Sequence, residues 1–344
     1  MNNIKINEIK NIKKHLININ CKFETATKKF NFLKKKILLV HDSKNRFIGT
    51  ITLGDFRKSL LIYKSTKIDI AKVLNRKSKV LKNHKNKISS KYLEKLSEKI
   101  KFLPVINDGK IIKLIEVVAK EKKILKKIPV IVMAGGLGTR MLPKTKYLPK
   151  PMIRINGKPM LENLIFHFKK YNFYKFYFSV NYLKEKIINY FKDGRKQKID
   201  ISYLIENKKL GTAGSLSLLN VDEIESDNII VINCDIGTDF NINDLIEYHN
   251  NLKSDFTIVS KPIEEKLSYG ELITKGSRVL NINEKKSYEI FINCGIYLIK
   301  KDCLKILKKN KYLDMNSFIS NLVKKKYKIF KFPIIENWKD LGLK

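Results

Sequence analysis

The chain has 344 residues, 43% hydrophobic and 30% charged, with a formal net charge of +38. That length allows two or three domains with a sizeable core, and the hydrophobic content is ordinary for a globular protein. The charge invites a nucleic-acid or anionic-membrane reading, but lysines are spread along the whole chain and only seven residues are Arg. Most of the charge reads as solvated surface that attracts anionic substrates. The lysine–aromatic stretches 169–178 and 324–332 read as strands with buried rings and snorkelling lysines, not base-stacking platforms. Cys21, Cys234, Cys294 and Cys303 have neither disulfide nor zinc spacing. No apolar run approaches the ~18 residues of a membrane span. The expectation is a soluble, cytoplasmic protein.

Taken in order, the chain opens with a polar, helix-like start. A strand near 17–21, a helix near 24–34 and a strand at Ile37–Val40 follow. Arg46–Thr52 reads as a strand and Asp55–Ile62 as a helix. A helix near 89–100 and strands at Phe102–Ile106 and Lys110–Val118 loosely repeat this order. That makes a module of roughly 60 residues appearing twice. Residues 119–127 read as a charged linker. Beyond it strands and helices alternate: strand 129–134, helix 158–170, strand 174–180, helix 183–192 and strand 199–204. Loop and helix Lys209–Leu219 come next, then strand Asn228–Cys234, helix Ile242–Leu252 and strand Asp255–Ser260. Such alternation predicts an α/β domain with a mainly parallel sheet and a ligand crevice beyond the carboxyl ends of its strands. Residues 270–300 turn strand-rich, as an inserted substrate-side subdomain would.

The most informative stretch is Ile128–Met152, IPVIVMAGGLGTRMLPKTKYLPKPM. A buried strand runs into Gly135, Gly136 and Gly138, which let the backbone turn tightly and approach a ligand. Exposed amides in such a loop suit phosphate oxygens. Arg140 adds a planar cation, and Lys144, Lys146 and Lys150 follow. A Walker A loop would end Gly-Lys-Ser/Thr, and a dinucleotide fingerprint would have glycine where Met141 stands. Neither fits. Gly135-Gly136-x-Gly138-Thr139-Arg140, with Pro143, Thr145 and Pro149-Lys150-Pro151-Met152, resembles the signature of the sugar-1-phosphate nucleotidyltransferases.

The resemblance implies a Rossmann-like nucleotidyltransferase domain over 128–344, and further segments fall where that family has its sites. Leu210-Gly211-Thr212-Ala213-Gly214 is similar to the loop whose backbone holds the nucleobase. Asp235 ends a buried strand and matches the family's magnesium ligand. Asp340, in Trp338-Lys339-Asp340-Leu341-Gly342, matches the second. Glu284-Lys285 and Asn293 resemble the sugar-phosphate segment, with Lys286 where the pattern usually has Pro, and Gly270 fits the close-approach glycine beside the sugar. Arg140 and the amides of Gly135 to Thr139 would hold a triphosphate, and Lys150 would steady the α-phosphate. Mg²⁺ is the implied cofactor. A nucleoside triphosphate and a sugar 1-phosphate are the implied substrates.

Phe47-Ile48-Gly49-Thr50-Ile51-Thr52-Leu53-Gly54-Asp55 resembles a cystathionine-β-synthase (CBS) domain. Residues 1–118 then look like an α+β CBS pair that regulates or dimerises. In that family Thr52 and Asp55 would hold the ribose of an adenine nucleotide. Asp55 as an ordinary helix cap explains the same residue without a ligand. The second module has no matching Thr…Asp. A CBS pair fused to a nucleotidyltransferase resembles the bacterial guanylyltransferases of legionaminic-acid and related surface-glycan pathways. That implies GTP, glucosamine 1-phosphate and a homo-oligomer. The rivals are a uridylyl- or thymidylyltransferase acting on glucose 1-phosphate, and a non-catalytic nucleotide-binding relative.

Overall fold

The computed structural model describes residues 4–82, 100–119 and 125–342. It divides into two compact units, Met1–Lys122 with Pro262–Ile290 and Lys123–Lys261 with Phe291–Lys344.

The first unit begins with strands β1 (Ile4–Glu8), β2 (Leu16–Asn18), β3 (Ile37–His41) and β4 (Phe47–Thr52). Strands β5 (Leu81–Lys82), β6 (Phe102–Asn107) and β7 (Lys110–Ala119) follow. Strand β3 lies parallel to β2 and antiparallel to β4. Strand β6 lies parallel to β5 and antiparallel to β7. Strands β2-β3-β4 and β5-β6-β7 thus share order and sense, while β1 adds a fourth strand to the second sheet alone. The helix expected over 89–100 falls mostly outside the described residues, and so do residues 120–124 of the expected linker. The polar start is not helical. It forms β1, paired antiparallel with β7 from Ile4 opposite Ala119 to Glu8 opposite Ile115. A short lysine- and asparagine-rich helix is marginal alone, whereas an edge strand satisfies its backbone against a neighbour and tolerates polar side chains. In the first module, helices Phe23–Phe32 and Leu53–Tyr63 supply Phe23, Phe30 and Phe56. These rings meet edge to face at 5.2 and 5.3 Å between centroids.

The second unit carries β8 (Val130–Met133), the short antiparallel pair β9 (Arg154–Ile155) and β10 (Lys158–Pro159), β11 (Lys175–Val180), β12 (Asp200–Ile205), β13 (Asn228–Asn233), β14 (Ile236–Thr238) and most of β15 (Phe256–Lys266), whose residues from Pro262 onward belong to the first unit. Hairpin β16 (Glu271–Lys275) and β17 (Arg278–Asn283) belongs to the first unit. Strands β18 (Ser287–Lys300), β19 (Ile329–Pro333) and β20 (Trp338–Asp340) complete the chain. The central sheet runs β12-β11-β8-β13-β18-β15-β19. Strand β8 is parallel to both neighbours, β11 and β13, and β18 is antiparallel to β13.

The apolar run at 130–134 is continuous because both faces of β8 are buried. Val130, Val132 and Ala134 enter one core with Leu161, Leu164 and Phe168 of helix Met160–Lys169 and Ile187 and Phe191 of helix Lys184–Phe191. Ile131 and Met133 enter the other with Phe318 and Leu322 of helix Met315–Lys324. Each Val, Leu, Ile, Phe or Met among them, fully buried, contributes about 1.5–3 kcal/mol. The buried strands make a rigid floor from which the loops at their carboxyl ends project. Strand β8 lies between the β11 and β13 sides of the sheet, the switch point at which a ligand crevice opens.

Within the first unit, Glu289 at the start of β18 accepts hydrogen bonds from the Thr66 amide at 2.7 Å and from the Ser65 and Thr66 hydroxyls. Lys67 joins Glu264 at 2.8 Å and donates to Ser287 at 2.7 Å. In the hairpin, Lys286 pairs with Glu271 at 2.6 Å, so the lysine that stands where proline is usual ties the hairpin to the strand after it. The Lys286 ammonium and the Tyr288 hydroxyl hold the Glu271 carboxyl down at about 2.

Candidate active site

The segment after β8 builds one wall of a cleft. Gly138 sits at φ 65, a left-handed conformation, and a Cβ there would come within 2.9 Å of Thr145 and 3.1 Å of the Lys150 Cβ. Glycine is thus required both for the turn and for the approach. Thr145, 1% exposed, donates its hydroxyl to the Gly138 carbonyl at 2.9 Å. Tyr182 donates to the Lys146 carbonyl at 2.8 Å. A single turn, Lys150–Met152, is anchored by buried Pro151 and Met152. That anchor turns Lys150 into the cleft.

The opposite wall comes from the ends of β13 and β20. Strands β14 and β20 pair antiparallel, with Ile236 opposite Asp340, and the Leu341 amide donates to the Asp235 carbonyl at 2.8 Å. Two aspartates 105 positions apart in sequence are thereby held on adjacent strands. Asp340 accepts from the Gly342 amide at 2.8 Å. The Lys150 ammonium is ion-paired with the Asp235 carboxylate, their side chains 16% and 13% exposed. In a partly buried pair of this kind, losing one partner leaves the other uncompensated. Cys234 lies against them, and burial pushes its thiol well above the ordinary range. It is a packing residue, not a thiolate.

The cleft encloses about 460 Å³. Of the sequence-predicted residues, Gly135, Gly136, Gly138, Thr139, Arg140, Lys150, Gly211, Thr212, Asp235 and Asp340 line it. Asn293 lines an adjoining pocket that shares Thr212 and Asp340. There its amide donates to the Tyr297 hydroxyl at 2.8 Å and its carbonyl accepts from the Gly295 amide at 3.0 Å. Gly270, Glu284 and Lys285 belong to the first unit. In that unit a Cβ on Gly270 would meet the Glu284 carboxylate at 2.9 Å.

The Gly211–Gly214 loop has a packing reason for its glycines. At Gly211, φ 77, a Cβ would come within 2.5 Å of the Leu313 carbonyl oxygen. The Ala213 and Gly214 amides donate to that same oxygen at 3.0 and 2.9 Å. Thr212 accepts from the Met315 amide at 2.9 Å. Gly214 is buried against Lys311 and Leu313 and is not among the residues lining the cleft.

Glu206 and Ser179 also line the cleft and were missed in the sequence. Glu206 sits in a polar run, Glu-Asn-Lys-Lys, that reads as a loop. The available signal was an acid placed between buried Leu204 and Leu210 at a strand end. Thr52 and Asp55, in the first unit, hold each other. The Asp55 carboxylate accepts from the Thr52 amide at 2.8 Å and its hydroxyl at 2.7 Å, a capping box for helix Leu53–Tyr63.

Among the described residues, no group of three or more His, Cys, Asp or Glu forms a metal cluster. Asp235 and Asp340 still fit Mg²⁺, which binds through one or two carboxylates and completes its shell with phosphate oxygens and water. The Lys150 ammonium already places a positive charge on Asp235.

An α/β domain with a glycine loop, a lysine and two aspartates at its switch point defines a class, which similarity to known proteins narrows. Residues 129–344 match the family model described as nucleotidyl transferase, and the chain belongs to that family. A D-glycero-alpha-D-manno-heptose 1-phosphate guanylyltransferase from Aneurinibacillus thermoaerophilus is 35% identical over 172 residues, covering 50% of this chain and 74% of that protein. A UTP–glucose-1-phosphate uridylyltransferase from Synechocystis is 28% identical over 230 residues, and the match spans 62% of this chain and only 59% of the relative. HddC from Yersinia pseudotuberculosis superposes with TM-score 0.50 at 29% identity, covering 63% of this chain and 94% of that one. A second HddC structure, complexed with GMP-PN, gives TM-score 0.50 at 27% identity.

Proposed function

We propose that the cleft transfers a nucleotidyl group from a nucleoside triphosphate to a sugar 1-phosphate. A phosphate oxygen of the sugar 1-phosphate attacks the α-phosphorus, the bond to the β-phosphate bridging oxygen breaks, and pyrophosphate leaves with that electron pair. The nucleophile is already an anion, so no strong base is needed. The task is to bring two anions together and hold the charge of the crowded transition state. Arg140 and the amides of Gly135 to Thr139 grip the triphosphate. Lys150 steadies charge at the α-phosphate. Asn293, in the pocket that adjoins the cleft, is proposed to hold the sugar phosphate; the resemblance implies the same role for Gly270, Glu284 and Lys285. Mg²⁺, held by Asp235 and Asp340, would supply charge neutralisation on the phosphate oxygens.

The observation that carries this reading is the Lys150–Asp235 pair facing the glycine loop. A structural ion pair has no need of a glycine nest opposite it. The finer reading is GTP with glucosamine 1-phosphate, in a surface-glycan route of the legionaminic-acid kind. It is supported by the resemblance of the whole-chain arrangement and by a relative and a structural neighbour whose names or ligand carry guanine. The Thr52–Asp55 segment keeps its proposed adenine-nucleotide role only if the ligand displaces the cap.

The test is pyrophosphate release by the full chain with Mg²⁺, crossing GTP, UTP, dTTP, CTP and ATP with glucosamine, glucose and mannose 1-phosphates. A dominant GTP and glucosamine 1-phosphate signal is expected. Activity with UTP and glucose 1-phosphate keeps the chemistry and discards the finer reading. Silence across the grid overturns both.

A further inference from the structure

Building on the nucleotidyl-transfer reading, and on the sugar-phosphate role that the resemblance implies for Gly270, Glu284 and Lys285, we propose that Glu289 and the turn at Ser65, Thr66 and Lys67 are positioning residues for the sugar 1-phosphate. They act through the segment that carries those three residues.

Strand β15 passes from the second unit to the first after Lys261, and β18 passes back at Phe291. Residues 262–290 are thus an excursion that carries Gly270, Glu284 and Lys285 as one piece. The Leu267 amide donates to the Lys286 carbonyl at 2.9 Å. The Glu271 carboxylate accepts from Lys286 at 2.6 Å and from the Asn283 amide group at 3.3 Å. Lys285 sits between them at φ 49, a left-handed turn. These bonds fix the three residues relative to one another but not the direction of the hairpin. Its apolar side chains Leu272, Leu280 and Ile282 are 56%, 56% and 54% exposed. A two-stranded hairpin without a buried face is marginal alone, so its aim depends on what holds its foot.

That hold is polar and comes from one turn. Helix Leu53–Tyr63 stops at Lys64, left-handed at φ 53, which swings the next residues out of the helix. The Lys67 amide donates to the Ser65 hydroxyl oxygen at 2.9 Å and closes the turn. Glu289 on β18 accepts three hydrogen bonds from it, from the Thr66 amide at 2.7 Å and from the Ser65 and Thr66 hydroxyls. Lys67 reaches the other strand, pairing with Glu264 of β15 at 2.8 Å, and donates to Ser287 at 2.7 Å. Both strands of the excursion are therefore gripped by the same three residues. Bonds to an ionised carboxylate are short and directional, so the grip sets an orientation and not merely a contact. Lys285 stands four residues before Glu289 in the chain, and a tilt at the foot is carried to it and to Gly270 together.

The bland role of the grip is to stabilise the first unit, and the two roles differ in which substrate notices its loss. The experiment is initial-rate kinetics of the full chain with Mg²⁺, varying glucosamine 1-phosphate at saturating GTP and then GTP at saturating glucosamine 1-phosphate. UTP and glucose 1-phosphate replace them if the natural chain prefers that pair. In Glu289→Ala the KM for the sugar 1-phosphate is expected to rise about 10- to 100-fold, the scale of a misplacement far from the chemistry. The kcat and the nucleotide KM are expected to hold, the mark of a contact that places one substrate. Thr66→Ala should shift the sugar KM the same way, and Thr66→Ser, which keeps hydroxyl and amide, should restore it. Lys67, whose side chain is 57% exposed, provides Lys67→Ala as the variant that decides the matter if Glu289→Ala does not fold. An equal loss toward both substrates, a fall in kcat alone, or an unchanged sugar KM overturns the proposal while nucleotidyl transfer stands. A natural chain that turns over neither pair overturns the transfer reading as well.

Discussion

Two polar pairs, one in each unit, show what a site is made of. Thr52 and Asp55 lie three residues apart, and helix capping accounts for every bond between them. Lys150 and Asp235 lie 85 residues apart. Their meeting requires a buried strand, a proline-anchored turn and the β14–β20 pairing. The first pair is stable without a ligand and says nothing about one. The second holds two partly buried charges at the carboxyl end of a sheet, an arrangement that packing alone does not call for.

The largest effect is expected at Lys150. Lys150→Ala is expected to lower turnover by ~10²–10³, the scale of a lost transition-state donor. It also frees Asp235, so Mg²⁺ should raise the melting temperature of the variant more than that of the natural chain. Equal Mg²⁺ shifts in both would remove the metal role of Asp235.

The next effect is on the stability of the second unit. Burial holds His167 and His249 down at about 4, and His249 bonds the Thr257 hydroxyl at 2.8 Å. A histidine with a depressed folded-state value binds its proton more readily when unfolded. Its contribution is whole above about 6.5 and is lost as pH falls toward 4. The second unit should lose about 1–3 kcal/mol per histidine over that window, read by urea unfolding across pH. Flat stability there would contradict the burial.

Gly211→Ala is expected to destabilise the second unit by about 1–3 kcal/mol, through its left-handed backbone and the Leu313 carbonyl at 2.5 Å. Unchanged stability would return that glycine to a purely ligand-facing role. The smallest effect is at the local pair. Thr52→Ala should cost about 1 kcal/mol in the first unit and leave transfer kinetics alone. A change in substrate KM would mean that the cap reports on the active site.

The legibility of these features follows their range. Continuous apolar runs at 130–134 and 229–232 announced a sheet buried on both faces, because burial writes itself into consecutive residues. The glycine loop was legible because turn and close approach both demand glycine at Gly138. The strand at Ile4–Glu8 was not, since its partner lies more than a hundred residues on and its lysine and asparagine content favours no element. Glu206 was hidden for a similar reason. Its meaning depends on Ser179 and Gly135, which only folding brings beside it. The packing role of Gly211 depends on Leu313 in the same way.

The most direct measurement is the pyrophosphate released per minute from GTP and glucosamine 1-phosphate by three chains side by side: natural, Lys150→Ala and Thr52→Ala. The first and third are expected to match and the second to fall by ~10²–10³. Near-natural turnover in Lys150→Ala, with its fold intact, would contradict it.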